Sequence, residues 1–313
     1  MTTRHGNATN LRLASIAMAI LTVPCAAASA QDEEPAPAKA DSSAISLSLR
    51  AGASHTFTAD LDDDGGGGDV SVSRANADFI IDWAPADKFR LSVALRNEIS
   101  WYDFAGNSSA AFDDIIDDAY EHHLSFRATW ILDGGNSISA LGSVNTGYEP
   151  GADFGDSLTY SAGVAYGFRV NDNLSLTLGV AVRTRLEDNV LVLPIIGVDW
   201  RINEKTTLTS EGLGARLSVA VRDDLDVFLR AGAELHEYRL DDDNSALPGG
   251  VLSDYRVPVA LGLTWSPSQA ISLTFEGGAV VWQEYNLLRN DDEIEDINTD
   301  PAAFIGFRFN LMF

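Results

Sequence analysis

The chain has 313 residues, with 46 acidic against 21 basic side chains, a formal charge of −25 at pH 7 and a single cysteine. Such an acidic balance argues against a nucleic-acid-binding surface, and one cysteine excludes a disulfide framework.

The first 30 residues carry basic Arg4 and Arg12, an apolar run over 13–23, and Ala28-Ser29-Ala30 before Gln31. This is the pattern of a cleaved secretory signal peptide, and Cys25, preceded by Pro24, would leave with it. With Arg4 and Arg12 removed, 19 basic residues face the same 46 acidic ones, a formal charge of −27. Residues 31–43, rich in Pro, Ala and acidic side chains, read as a flexible periplasmic linker too short to form a plug. No later stretch approaches the roughly 18 consecutive apolar residues of a membrane helix. If the mature chain lies in a membrane, it must do so as a closed sheet, since lipid leaves no partner for a free strand edge.

From 44 to 313 the apolar residues alternate with polar ones in fourteen segments: 44–60, 69–84, 88–104, 117–132, 136–148, 157–170, 173–186, 189–202, 205–212, 214–222, 225–240, 251–266, 270–287 and 302–313. None has helical periodicity. Short connections at 85–87, 133–136, 171–172, 203–204, 223–224 and 266–268 are made of good turn formers. They alternate with Asp- and Gly-rich loops at 60–69, 105–116, 241–250 and 289–300. This predicts an all-β, up-and-down antiparallel barrel with both ends of the chain on the short-turn side. The segment 205–222, turning at Gly212-Leu213-Gly214, has the shortest strands, and its omission gives an alternative of twelve.

Trp83, Trp130, Trp200 and Trp265 each end a strand before a short turn, and Phe168 holds the same place before Asn171. Together they predict an aromatic girdle at one membrane interface. The last strand runs Phe304-Ile-Gly-Phe-Arg-Phe-Asn-Leu-Met-Phe313, apolar at every odd position and ending on an aromatic. With the signal peptide and the alternating hairpins, this resembles the closing strand of bacterial outer-membrane β-barrels. The resemblance extends over 44–313 and implies an integral outer-membrane protein, in contact with lipid and lipopolysaccharide, whose Phe313 is read by the barrel-assembly machinery. It is to the narrow monomeric barrels of about twelve to fourteen strands, which include solute-specific porins. The long-chain fatty-acid transporters share the strand number but have an N-terminal hatch, for which 31–43 is too short. The competing fold is a soluble β-sandwich, whose strands alternate equally well.

When each strand is phased on its large apolar residues, fourteen of the sixteen arginines after residue 30 fall on the opposite face. A lipid-facing Arg at mid-membrane costs roughly 2–4 kcal/mol, so these side chains are expected in the lumen. The predicted lining comprises Arg50, Arg96, Glu98, Glu121, Arg127, Arg183, Arg230, Glu234, Arg256, Glu276 and Arg308, and the same phase carries Glu284. Two places break the pattern. Val70 and Val72 sit on the polar phase, and 189–196 is apolar on both phases around Pro194, which points to a tucked-in loop or a partner.

Three functions follow. The inward arginine excess fits a passive pore for small hydrophilic solutes, weakly anion-preferring through Arg50, Arg96, Arg127, Arg183, Arg230 and Arg308. Acidic loops fit a non-conducting surface barrel that binds lipopolysaccharide or divalent ions through Asp291, Asp292, Glu293, Glu295 and Asp296. His236, with Glu234 and Glu284 expected beside it, is the one constellation for a membrane-embedded hydrolase, without a Gly-x-Ser-x-Gly nucleophile motif. Asp60-x-Asp62-x-Asp64-Gly65 matches the front half of a calcium loop, but Ser71 stands where its bidentate Glu belongs, so an acidic solvated loop is the plainer reading. No other cofactor is implied.

Overall fold

The computed structural model describes residues 44–62, 67–106 and 115–313; the signal peptide, the linker 31–43 and Asp64 lie outside these. Sixteen strand segments are present: β1 (Ala44–Asp60), β2 (Asp69–Ala86), β3 (Phe89–Ala105), β4 (Asp118–Ile131), β5 (Ser137–Tyr148), β6 (Leu158–Asn171), β7 (Leu174–Arg183), β8 (Leu191–Arg201), β9 (Thr206–Glu211), β10 (Gly214–Arg222), β11 (Leu225–Ala231), β12 (Glu234–Arg239), β13 (Val251–Ser268), β14 (Ile271–Arg289), β15 (Asp292–Asn298) and β16 (Ala302–Met312). β11 and β12 follow one another along β13, with Ala231 opposite Val259 and Glu234 opposite Arg256. β15 and β16 likewise follow one another along β14. The segments therefore form fourteen staves, each antiparallel to the next, and β1 closes the sheet on β16 with Arg50 opposite Asn310.

Alternation explains the closure. Val164, Ile196 and Leu261 point outward and are 57–62 % exposed, while Asp78, Arg96, Arg230 and Glu276 point inward. A water-soluble protein rarely leaves an apolar surface of this extent uncovered. The soluble sandwich is thereby replaced by a barrel whose oily face is its outside.

The predicted strand limits hold to within a few residues, with three differences. Loop 289–300 contains β15, which hydrogen-bonds to the free outer edge of β14, so an Asp-rich stretch becomes strand because a neighbour offers unpaired backbone groups. The predicted strand 225–240 is interrupted at 232–233, and 184–186 and 189–190, expected as strand ends, belong to the β7–β8 loop. The wall is also uneven in height: β9 has 6 residues and β10 has 9, against 18 in β13 and 19 in β14. Gly212, at φ 57°, makes the tight turn between the two short strands.

β12 makes a second closure. Gly214 starts β10 so close to Ala231 and Gly232 that an added Cβ would lie 2.2 Å from the Ala231 carbonyl oxygen. Past this point the stave leaves β10 and meets β5, where Arg239 pairs parallel with Tyr148 and the Glu149 N–H donates to the Arg239 carbonyl at 2.8 Å. A Cβ on Gly147 would sit 2.1 Å from the Glu237 carbonyl oxygen, so glycine permits this contact. At the loop end β1–β5 and β12–β15 thus form a smaller ring of nine segments, from which β6–β11 and β16 are left out.

Pro258 sets which side chains fill that ring. Having no N–H, it cannot donate to the ladder, and the β13–β14 register slips there: Val257 faces Trp282, Pro258 faces Val280, and Val281 is left over as a bulge. Val281 and Trp282 both end up exposed, and the phase of β14 inverts above them, so Gln283, Tyr285 and Leu287 turn inward. Glu284, expected on the lining, is therefore on the other face and is half-buried beside Asn286.

Gly278→Val would push a Cβ to within 1.9 Å of the Val259 carbonyl oxygen. It is expected to abolish the heat-modifiable folded band of the refolded barrel on unheated denaturing gels, whereas Gly134→Ala, in an open turn, should leave the band intact apart from a small loss from its positive φ.

Candidate functional site: the divided lumen

The ring at the loop end is filled by apolar side chains. Val70, Val72, Tyr102, Phe104, Ile115, Ile116, Tyr238, Leu240, Leu252, Tyr285, Leu287 and Ile297 form one buried cluster, with Tyr102 edge-on to both Tyr238 and Tyr285. Val70 and Val72 break the polar phase because they face this cluster. Among the described residues, strands and the segments 115–119 and 240–252 supply it.

A layer of buried polar groups lies against the cluster. The Arg74 guanidinium donates to Asp254 and, at 2.9 Å, to the Tyr102 hydroxyl. The Tyr102 hydroxyl and the Gln283 amide donate to Asp254 at 3.0 and 2.8 Å. Arg74 and Asp254 are 4 % and 0 % exposed, and a buried charge of this kind persists only with its partners in place. His236 Nδ1 lies 2.6 Å from Glu121 and 3.6 Å from Glu98. The expected partners of His236, Glu234 and Glu284, are thus not its partners: Glu234 pairs with Arg256 and Arg230, and Glu284 has turned away.

Towards the short-turn end the inward face carries ion pairs on the wall. Arg96 holds Asp78 with two hydrogen bonds of 2.9 and 3.1 Å, and Arg230 holds Glu276 with two of 2.6 and 2.7 Å. The Arg216 guanidinium lies 3.7 Å from the Phe228 ring centre, a cation–π contact. Arg308 is exposed although it faces the lumen, and Arg50 and Arg127 are half-buried there. This half of the lumen is charged rather than apolar.

Outside the small ring, Glu237 is 1 % exposed and accepts from Arg183 at 3.2 Å and Arg185 at 2.8 Å. Arg185 also donates to Asp188 and to the Tyr255 hydroxyl. Arg239 holds Glu187 at 2.7 Å, to which the Asp291 N–H also donates. Burial pushes the Glu187 carboxyl up, but Arg239 and these backbone donors outweigh it, so the group titrates below its ordinary range. A narrow polar void beside β12 is lined by Glu121, His123, Asn145, Ser157, Thr159, Arg183 and Glu237.

The predicted lining residues do not share one space: Glu98, Glu121 and Arg256 belong to the buried layer with Glu234 half-buried beside it, Arg183 to the network outside the small ring, Arg96, Arg230 and Glu276 to the wall ion pairs, and Arg50, Arg127 and Arg308 lie apart from these. Trp83, Trp130, Trp200 and Trp265 are 40–46 % exposed on the outer surface at the short-turn end, and Phe168 stacks on Tyr166. Phe313 is 71 % exposed, its N–H donating to the Leu47 carbonyl. Asp60 lies in the β1–β2 ladder opposite Asp69, and Asp62 donates its N–H to the Asn298 carbonyl. Sequence reasoning missed Asp254, Gln283 and Glu237; Pro258 within a strand was the available signal for the inverted phase that brings in Gln283.

No family model matches the chain, and no curated protein matches it. Its structural neighbours are bacterial outer-membrane channels and porins. An outer membrane channel from Pseudomonas putida F1 is similar with a TM-score of 0.47 and 10 % identity, over 90 % of this chain and 100 % of that one. The TodX monoaromatic hydrocarbon channel of Pseudomonas putida, as a deletion mutant, is similar with a TM-score of 0.46 and 8 % identity over 86 % and 90 %. LpxR from Salmonella typhimurium has a TM-score of 0.33 and 8 % identity over 86 % and 100 %.

Removing one partner of the buried pair strands the other. Arg74→Met is expected to destabilise the barrel by roughly 3–5 kcal/mol, read by urea unfolding in detergent micelles. Arg74→Met with Asp254→Leu should recover most of that loss, since neither variant side chain then carries a charge.

Proposed function

We propose that this protein is an integral outer-membrane barrel through which small hydrophilic solutes pass, entering and leaving the periplasm by the charged, ion-paired half of the lumen. The observation that carries this reading is the inversion of a closed sheet, apolar outside and charged inside, with Arg308 and Arg50 open to the interior at the short-turn end. The signal peptide over 1–30 and the linker 31–43 would deliver the chain across the inner membrane. The assembly machinery would read Phe313, and Trp83, Trp130, Phe168, Trp200 and Trp265 would sit at the periplasmic interface, where aromatic rings are favoured. Lipopolysaccharide, bridged by divalent ions, would meet the acidic stretch Asp291–Asp296.

The apolar cluster fills the small ring, so a solute route would run beside β12, where a polar void of about 10 Å³ lined by Glu237 and Arg183 would have to widen. Most lumenal charges are paired, which leaves a weak anion preference resting chiefly on Arg50 and Arg308, diagonal neighbours on β1 and β16. A second reading, a filled barrel that serves as a surface anchor, is favoured by the same apolar cluster. A hydrolase has less support: the described hydrogen bond and ion-pair contacts of His236 go to the carboxylates Glu121 and Glu98, not to a nucleophile.

Purified protein in a planar bilayer should give small discrete conductance steps, and Arg50→Gln with Arg308→Gln should move the reversal potential in a salt gradient towards cations. Gly147→Val, which forces β12 off β5, should raise the step size several-fold. Membranes that remain silent for the wild type and for Gly147→Val would leave the filled barrel as the answer.

A further inference from the structure

We propose that Glu98, Glu121 and His236 bind one divalent transition-metal ion, and that this ion fastens β12 to β3 and β4. The three side chains come from those three segments, and their donor atoms all lie within 4.8 Å of one another. His236 Nδ1 is 2.6 Å from Glu121 Oε2 and 3.6 Å from Glu98 Oε1, and the side chains are 11 %, 7 % and 13 % exposed. A tetrahedral site with ligands at about 2.0 Å spaces its donors by about 3.3 Å, so side-chain shifts of under about an ångström convert this cluster into a coordination shell.

Charge and orientation make the case. Arg74 and Arg96 are taken by Asp254 and Asp78, and Arg74 Nε approaches Glu98 only to 3.9 Å. Glu98 and Glu121 thus bring two negative charges into a nearly dry layer in which the nearest guanidinium, that of Arg74, makes one long ion pair with Glu98 and no hydrogen bond. Glu98 Oε1 and His236 Nε2 are buried without a hydrogen-bond partner. The neighbouring His123 places Nδ1 2.8 Å from Asn145 Oδ1, and Asn145 in turn donates to Ser143 at 3.0 Å. With a neutral His123, that chain puts the proton on Nδ1 and turns a bare Nε2 towards Glu121 Oε1 at 3.5 Å. Two such acceptors face each other comfortably only across a cation, and with a metal ion there His123 becomes a fourth ligand. Imidazole and carboxylate together suit zinc, nickel or cobalt(II) rather than calcium or magnesium. The proposal is independent of whether the barrel conducts.

The test uses the full chain refolded in detergent, stripped with a chelator and titrated with Zn²⁺ by calorimetry, with Co²⁺ absorption as a second readout. One saturable site is expected, with a raised unfolding temperature and a Co²⁺ ligand-field spectrum. Glu121→Gln and His236→Gln should each weaken binding at least tenfold, and Glu98→Gln serves if either fails to fold. Replacing the five acidic residues of 291–296 by their amides should leave that site intact. Absence of saturable binding, affinity unchanged in His236→Gln or Glu98→Gln, or loss of the site in the loop variant would each overturn the proposal.

Discussion

Every feature of this molecule depends on one constraint: a sheet whose outward face is apolar has no solvent to satisfy a free edge, so every strand must find a neighbour on both sides. The β1–β16 pairing meets that requirement around the whole circumference. The β12–β5 contact meets it again where β10 is too short to follow, and β15 meets it where β14 outgrows β16. Departures from a plain meander are thus responses to strands of unequal length. Where a stave outruns its neighbour, the chain finds another backbone to pair with.

Strand positions were legible because a period of two, punctuated by turn residues, is a local signal. The apolar outer face was legible for the same reason. What depended on distant pairing was not. Glu284 was misplaced because one bulge at Pro258 inverts everything after it on β14, an effect no phase count within β14 contains. β15 was read as loop because its pattern is too polar for a strand on its own and needs the edge of β14. The partners of His236 lie on β3 and β4, more than a hundred residues earlier, and nothing near His236 announces them. The Val70 and Val72 anomaly did mark the filled ring, since apolar residues on a polar face need something to pack on.

The interior has two chemically different halves. Near the loop end charged groups are buried together, and the Arg74–Asp254 contact with its Tyr102 and Gln283 partners is costly to break on one side only. Near the turns the bidentate pairs Arg96–Asp78 and Arg230–Glu276 brace the wall while Arg308 meets solvent. Apolar filling and wall ion pairs are therefore segregated along the axis, and β12 lies on the border between them.

The nested rings also separate girth from the lid. Because β6–β10 take no part in the nine-segment ring, a hairpin duplicated or lost within that arc would widen or narrow the lower vestibule without touching a single side chain of the stopper. A lineage built on this plan has freedom to vary its bore while inheriting the same cap.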